Sequence, residues 1–183
     1  MSTLSAHPAA VFVTHTVPSA TQVAEACVRE ATPADAAAIH ALVTEHIVEG
    51  HLLPRSLEEI RAHVHRFLVA VQDDRLVGCG ELAPLGDDVS EIRSLIVSRE
   101  IRRSGLGAEI IRRLEQRATS LGSQRLCAFT HCPSYFVHQG FSIVPHVWLP
   151  EKILTDCHSC PHFRRCGQYA VVRALGQRRG LHG

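Results

Sequence analysis

The chain has 183 residues, enough for one domain with a sizeable core. Its composition is that of an ordinary globular protein, and 19 Lys and Arg against 18 Asp and Glu leave it close to neutral. It carries no basic stripe, so general nucleic-acid binding is not indicated, and no apolar run reaches membrane-spanning length. Residues 1–26, rich in Ala, Ser, Thr and Pro, read as a flexible tail. They lack the basic start and long apolar stretch of a secretory signal. Together with an odd number of cysteines, seven, this points to a reducing, cytoplasmic setting with free or metal-bound thiols rather than a disulfide framework.

Cys27 to Ala31 reads as a first strand. Thr32-Pro33-Ala34-Asp35 is a helix start, with Thr32 as N-cap, Pro33 at the first helical position and Asp35 in the first turn. Ile39, Leu42, Val43 and Ile47 form the helix's apolar face, and Gly50 marks its end. After the loop His51 to Ser56, Ser56-x-x-Glu59 is a capping-box pattern opening a second helix with Leu57, Ile60, Val64 and Phe67. Phe67 to Val71 and Arg75 to Leu82 read as strands around an Asp73-Asp74 hairpin turn, and Leu85 to Asp88 as the next turn. Glu91 to Val97 is β-branched and apolar enough for a mostly buried strand. From Ala108 a helix carries Ile110, Ile111, Leu114, Ala118 and Leu121 on one face and stops at Gly122. Arg125 to Thr130 is a strand expected to lie parallel to the Glu91 strand across that helix. Pro133 to His138 is a short helix, and Gly140 to Val144 another strand.

The turn Ser98 to Gly107 is the chemically suggestive segment. The first N–H groups of the following helix have no partner inside it, and its dipole places partial positive charge there. Gly105 and Gly107 let the backbone approach an anion closely, and Arg102 and Arg103 add charge, so the segment should bind phosphate. It is not a Walker pattern, which ends in Gly-Lys-Ser/Thr, nor a dinucleotide fingerprint, which has a third glycine. A plain capped turn is the alternative.

Arg102-Arg103-Ser104-Gly105-Leu106-Gly107 resembles the Arg/Gln-x-x-Gly-x-Gly/Ala motif of the GNAT acetyltransferases, and Glu91-x-x-x-Leu95-x-Val97 lies where their central strand should be. The element order β, α, α, β, β, β, α, β, α, β is also that of the GNAT fold, over roughly Cys27 to Pro145. The resemblance implies an α/β (α+β) domain over residues 27–147 with a mixed central sheet flanked by helices. A Cys-rich C-terminal extension, residues 148–183, would be packed on it or trail it. It implies that acetyl-CoA binds with its pyrophosphate on the N–H groups of Arg103, Ser104, Gly105, Leu106, Gly107 and Ala108, beside Arg102. Backbone groups of Leu95, Ile96 and Val97 would pair with the pantetheine arm like one more strand.

Leu52-Leu53-Pro54-Arg55-Ser56 with Glu59-Ile60, Gly78-Cys79-Gly80, Glu91-Ile92-Arg93-Ser94-Leu95 and the tail Leu149-Pro150-Glu151-Lys152 with Cys157, Cys160 and Cys166 narrow the resemblance. They are similar to the short, kinase-lacking bacterial N-acetylglutamate synthases. That implies an amino-acid N-acetyltransferase of arginine biosynthesis, acetylating the α-amino group of L-glutamate; a homodimer is compatible with it. Other GNAT acceptors (another amino acid, a polyamine, a protein N-terminus) and a non-catalytic acetyl-CoA-binding regulator are the alternatives.

An amine attacks a thioester only as the free base, so a proton acceptor is needed. Glu91 is the candidate, acting through a water in a dry acyl site that would favour a carboxylate of raised pKa. Its alternative is an exposed strand-edge residue paired with Arg93. A backbone N–H near Leu95 or Ile96 is the candidate oxyanion donor. In many GNAT enzymes a tyrosine four residues before the Gly-Phe pair protonates the leaving thiolate; here that position is Phe136, which then packs against pantetheine or in the core. Tyr135 lies one residue earlier, a rotation of about 100 degrees on a helix, and is the weaker candidate acid; water is the other proton source. Arg55, Ser56 and Arg93 are the candidate acceptor-site residues, since arginine binds a carboxylate bidentately. Strand alternation places Arg93 on one face with Glu91, Leu95 and Val97. Cys157, Cys160 and Cys166 have a spacing compatible with structural zinc, with His158 or His162 as fourth ligand, or else with packing thiols. Cys79, Cys127 and Cys132 read as small core residues.

Overall fold

In the computed structural model the described residues are 26–50, 52–160 and 162–176, so the expected N-terminal tail lies, but for Ala26, outside them. Strand β1 (Cys27–Glu30) leads to α1 (Ala36–Ile47) through a 3-10 turn at Pro33–Asp35. Asp35 secures this entry. Its carboxylate accepts the Thr32 N–H at 2.7 Å and both Arg29 amino groups at 2.8 Å. After α2 (Leu57–His63) come β2 (Phe67–Gln72) and β3 (Arg75–Pro84). Phe67, read both as the last apolar residue of the second helix and as the first of the next strand, begins β2. Asp73 and Asp74 join the two strands, both with left-handed φ, the twist that a tight hairpin turn needs.

Strand β4 (Val89–Val97) is the hinge of the architecture. It pairs antiparallel with β3 and parallel with β5 (Arg125–Thr130), but the β5 pairing covers only Val89 to Ile92. Beyond Ile92 the two strands share no ladder, and the sheet opens. Between β4 and β5 runs α3 (Leu106–Ser120). Ile110, Ile111, Leu114 and Ala118 are buried on the sheet as expected, each larger side chain contributing about 1.5–3 kcal/mol of burial. Leu121 departs from that expectation. It is the C-cap and 70% exposed, because the helix ends before its face turns inward again. Gly122 takes φ 86°, and the Ser123 N–H bonds back to Ala118 O, a Schellman closure.

The chain continues through α4 (Pro133–His138) and β6 (Ser142–Val144), then α5 (Pro150–Thr155) and β7 (Tyr169–Ala174). The seven strands lie in the order β1-β2-β3-β4-β5-β7-β6. The last strand therefore inserts between β5 and β6, pairing antiparallel with both. A boundary at residue 147 would fall inside this sheet, because β7 belongs to the expected extension. Helices α3 and α4 cover one face, with Phe136, Phe141 and Val171 in that core. The other face is covered by α1 and α2 over Val69, Cys79 and Ile96, and by Leu149 over Val89, Cys127 and Ala170.

The β3–β4 register explains a difference from simple alternation. Cys79 faces Ile96 and Glu81 faces Arg93, so β4 carries one extra residue there. Ser94, at φ 48°, absorbs it. Leu95 and Val97 consequently pack on the α3 side, whereas Glu91 and Arg93 face α5. The expectation that all four share one face fails by this single inserted residue. Gly80 lies opposite the bulge, where a Cβ would come within 2.9 Å of Ile110 Cγ2 and 3.0 Å of Leu114 Cδ1.

Candidate active site

The opened sheet borders a cavity of about 1450 Å³ that runs from the N-terminus of α3 to the start of the Cys-rich segment. At its first end Arg103 and Gly105 have left-handed φ values, 70° and 88°, and curl residues 102–108 around the helix start. Gly105 is the N-cap, and the first α-helical bond of α3 runs from Glu109 N–H to Gly105 O at 3.0 Å. The N–H groups of Gly107 and Ala108 precede that bond, and both residues line this end of the cavity, the expected anion cradle. Arg102 borders the cradle, but its Nη2 donates to both oxygens of Glu49 at 2.8 and 2.9 Å, with Arg99 on the same carboxylate. These two arginines hold Glu49 well below the usual carboxylate range, at about 2. Arg103 makes no hydrogen bond or ion pair with a described residue.

Tyr135 and Phe136 form the wall beside the cradle. A Cβ on Gly107 would collide with the Tyr135 hydroxyl, so that glycine leaves room for the phenol against the first turn of α3. Burial pushes the phenol's pKa upward. Phe136 is buried edge-on against Phe141, with ring centroids 5.3 Å apart, and also borders the cavity.

At the other end lies a cluster of ions. Glu91 is 2% exposed, not a strand-edge residue in water. Its Oε1 accepts from Lys152 Nζ at 2.7 Å, and its Oε2 from Arg93 Nε at 2.7 Å and Lys152 at 2.9 Å. Its immediate partners are thus two cations rather than the dry acyl site expected. Asp156 Oδ2 accepts from Arg93 Nη2 at 2.6 Å and from Lys152 at 2.7 Å. Burial works against the ionised form of Asp156, yet the Lys152 hydrogen bond and the Arg93 charge hold its pKa below the ordinary value. Burial likewise opposes the Arg93 charge, and the Glu91 carboxylate, with Asp156 and Glu81, more than compensates, leaving Arg93 above its ordinary range.

Lys152 lines the cavity but is not among the expected site residues. Its delivery follows from the tail sequence. Leu149 is fully buried under the sheet, Pro150 starts α5, and Glu151 is tied to Arg125 of β5 at 2.9 Å. The next residue then points at Glu91, with Nζ 5.1 Å from the Phe129 ring centroid. Arg55 lines the cavity too, but donates to the buried Glu81 at 2.9 Å, with Glu59 Oε1 at 2.9 Å from its Nε without hydrogen-bond geometry. Ser56 does not line the cavity. Its hydroxyl is used as the N-cap of α2, accepting the Glu59 N–H at 3.1 Å.

The zinc expectation is not met. Among the described residues no group of three or more His, Cys, Asp or Glu side chains is arranged to hold a metal ion. Cys157 and Cys160 are half-buried on the cavity wall and Cys166 is exposed. Burial pushes the Cys157 thiol up, away from the thiolate that zinc requires. Cys79 and Cys127 are core thiols as expected, Cys79 pushed up to about 12 by burial. Cys132 is exposed on the cavity rim, because it precedes α4 rather than lying in the strand.

A glycine-turn cradle, a bulged and splayed β4, and a buried glutamate on that strand now stand together with a family match. The acetyltransferase (GNAT) family model matches residues 33–140. The chain belongs to the GNAT acetyltransferase family. An uncharacterized N-acetyltransferase of Chlorobaculum tepidum is 33% identical over 152 residues, which is 83% of this chain and 98% of the relative. An amino-acid acetyltransferase of Pseudomonas putida is 31% identical over 117 residues, 63% of this chain, and the match spans only 27% of that protein's length. The structure of N-acetylglutamate synthase from Neisseria gonorrhoeae, complexed with coenzyme A and N-acetyl-glutamate, superimposes with a TM-score of 0.75 at 28% identity, over 84% of this chain and 36% of that one. In this GNAT acetyltransferase the mixed sheet and flanking helices are those expected of the fold. The family motif lies at the cavity's anion end and Glu91 at its ionic end.

Proposed function

We propose that this enzyme transfers the acetyl group of acetyl-CoA to the α-amino group of L-glutamate, the opening step of arginine biosynthesis, in the cytoplasm. The observation that carries the reading is the buried Glu91 carboxylate held by Arg93 and Lys152 at one end of the cavity whose other end is the α3 anion cradle. Support comes from the P. putida relative's name and from the ligands of the N. gonorrhoeae enzyme.

In this reading the pyrophosphate of acetyl-CoA lies on the N–H groups of residues 103–108. The pantetheine arm follows β4 where β5 leaves it, along Leu95 to Val97. The bulge at Ser94 redirects backbone N–H groups near Leu95 and Ile96 toward the thioester carbonyl, where they stabilise the oxyanion. The acceptor's carboxylates bind to Arg93, Lys152 and Arg55, and its ammonium loses a proton to Glu91 through a water. The amine attacks the carbonyl carbon, the C–S bond breaks, and coenzyme A leaves as the thiolate. Tyr135 sits against Gly107, at the cradle end, so water is the favoured proton source for that thiolate, and Phe136 packs the arm.

Thiol release from acetyl-CoA over a panel of free amino acids and simple amines tests this. Glutamate is expected to turn over, and Glu91→Gln to lower kcat by about 10²-fold or more. Turnover of another amine and not glutamate overturns the substrate assignment. One observation favours that second outcome: each cation at the acceptor end already faces a carboxylate of the chain, which suits an acceptor without carboxylates unless one of them yields.

A further inference from the structure

Three cations line the acceptor end, Arg55, Arg93 and Lys152, and four carboxylates of the chain lie against them, Glu59, Glu81, Glu91 and Asp156. A free dicarboxylic amino acid can bind there only if a resident carboxylate gives way, because two more anions beside a cluster that already sets four carboxylates against three cations would be repelled. The four residents are not equally able to move. Glu81 and Glu91 are buried on central strands, 1% and 2% exposed. Glu59 approaches a single cation without hydrogen-bond geometry. Asp156 bridges two cations through one oxygen, and its side chain is 39% exposed.

Asp156 also stands where movement is easy. It is the C-cap of α5, and its backbone N–H is held by Lys152 O at 3.0 Å, so the side chain can rotate to water without unwinding the helix. Its contacts are those a substrate carboxylate would make: one oxygen between a guanidinium and an ammonium, both beside the candidate base.

We infer that Asp156 is a resident stand-in for an acceptor carboxylate, occupying the anion subsite of Arg93 and Lys152 until a substrate carboxylate displaces it. This deepens the proposed function and rests on its acceptor class.

The test compares wild type and Asp156→Asn in two measurements at saturating coenzyme A or acetyl-CoA. The asparagine keeps the shape and removes the competing charge. KM for L-glutamate is expected to fall about three- to tenfold with kcat little changed, the scale of one partly exposed ion pair to two cations. Calorimetric titration with glutarate, which has two carboxylates and no amine, should show tighter binding by a similar factor. A merely structural role for Asp156 predicts the reverse, a raised KM and weaker glutarate binding, and that result overturns the inference. Unchanged binding, or no glutarate binding to either protein, overturns it as well. If glutamate is not acetylated by the wild type, the proposed substrate fails on its own. The glutarate titration still decides whether Asp156 guards a carboxylate subsite.

Discussion

Lys152 reaches Glu91 from 61 residues further along the chain, and the contact is nearly dry. Glu91's side chain is 3% exposed and that of Lys152 14%. Removing one partner of such a pair leaves an undercompensated buried charge. Lys152→Met keeps the stem packed over Phe129 and deletes only the ammonium. It is expected to cost about 2–4 kcal/mol of stability in urea unfolding. It is also expected to lower kcat/KM by about 10²-fold, because Arg93 alone then serves both Glu91 and the acceptor. A variant as stable and active as wild type would show that Lys152 is solvated away from Glu91 in solution. This residue also marks how far the sequence could be read. Glu91, Arg93 and Arg55 were legible because each sits in a motif on or beside a predicted element, and the structure puts all three on one cavity. Apart from the Glu91–Arg93 pairing, their partners were not. A lysine on a six-residue helix carries no periodicity of its own, and only the burial of Leu149 and the Glu151–Arg125 bridge aim it. Ser56 misled for a related reason: one hydroxyl serves equally well as a cap or a ligand, and the local N–H of Glu59 took it.

Among the elements, β4 and α3 are coupled through the bulge. Alternation is a reliable guide to a strand's faces only while the register is unbroken. Nothing in Arg93-Ser94-Leu95 announces the extra residue, since serine is not a residue that favours φ 48°. The signal that was available lies on the neighbouring strand, in Gly78-Cys79-Gly80. Gly80 has ordinary backbone angles, so its need is for space. The α3 side chains Ile110 and Leu114 close over it at 2.9 and 3.0 Å from a Cβ, too near to stay unmoved, while Leu95 from the bulge packs at 3.4 Å. Gly80→Ala should therefore push α3 off the sheet by a few tenths of an ångström and cost about 1–3 kcal/mol by overpacking. Because the N-terminus of α3 is the anion cradle, the same change should weaken coenzyme A binding while leaving the acceptor end, which α3 does not build, largely intact. Thermal melts and a coenzyme A titration check both halves. A stability loss without loss of coenzyme A affinity would uncouple the helix's packing from the position of its first turn.

At the scale of the molecule, most of the fold was legible: the order of elements along the chain matched that of the resembled family, and the helix between β4 and β5 implied their parallel pairing. It did not carry the last strand. Tyr169-Ala-Val-Val-Arg-Ala is a short apolar run after a cysteine-rich stretch, and proximity in sequence suggested an appendage. The sheet shows why it cannot be one. Among the described residues strand β7 is the sole bridge between β5 and β6, pairing with six residues of one and three of the other, and its Ala170 and Val171 are buried on opposite faces. The segment that leads to it carries Leu149, Lys152 and Asp156, so the same piece of chain closes the core and builds the acceptor end. A chain ending at residue 147, where the motifs stop, would leave β5 with an open hydrogen-bonding edge, β6 with no partner, and the Val89–Cys127 surface without Leu149 and Ala170. Such a truncation is expected to lose its cooperative thermal transition by circular dichroism and to aggregate, not merely to lose activity. If it instead melts cooperatively within a few degrees of the full chain, residues 27–147 fold by themselves. Then β7 and α5 would be a later addition that serves only the acceptor, and the loss would show in glutamate binding while coenzyme A binding stayed as it was.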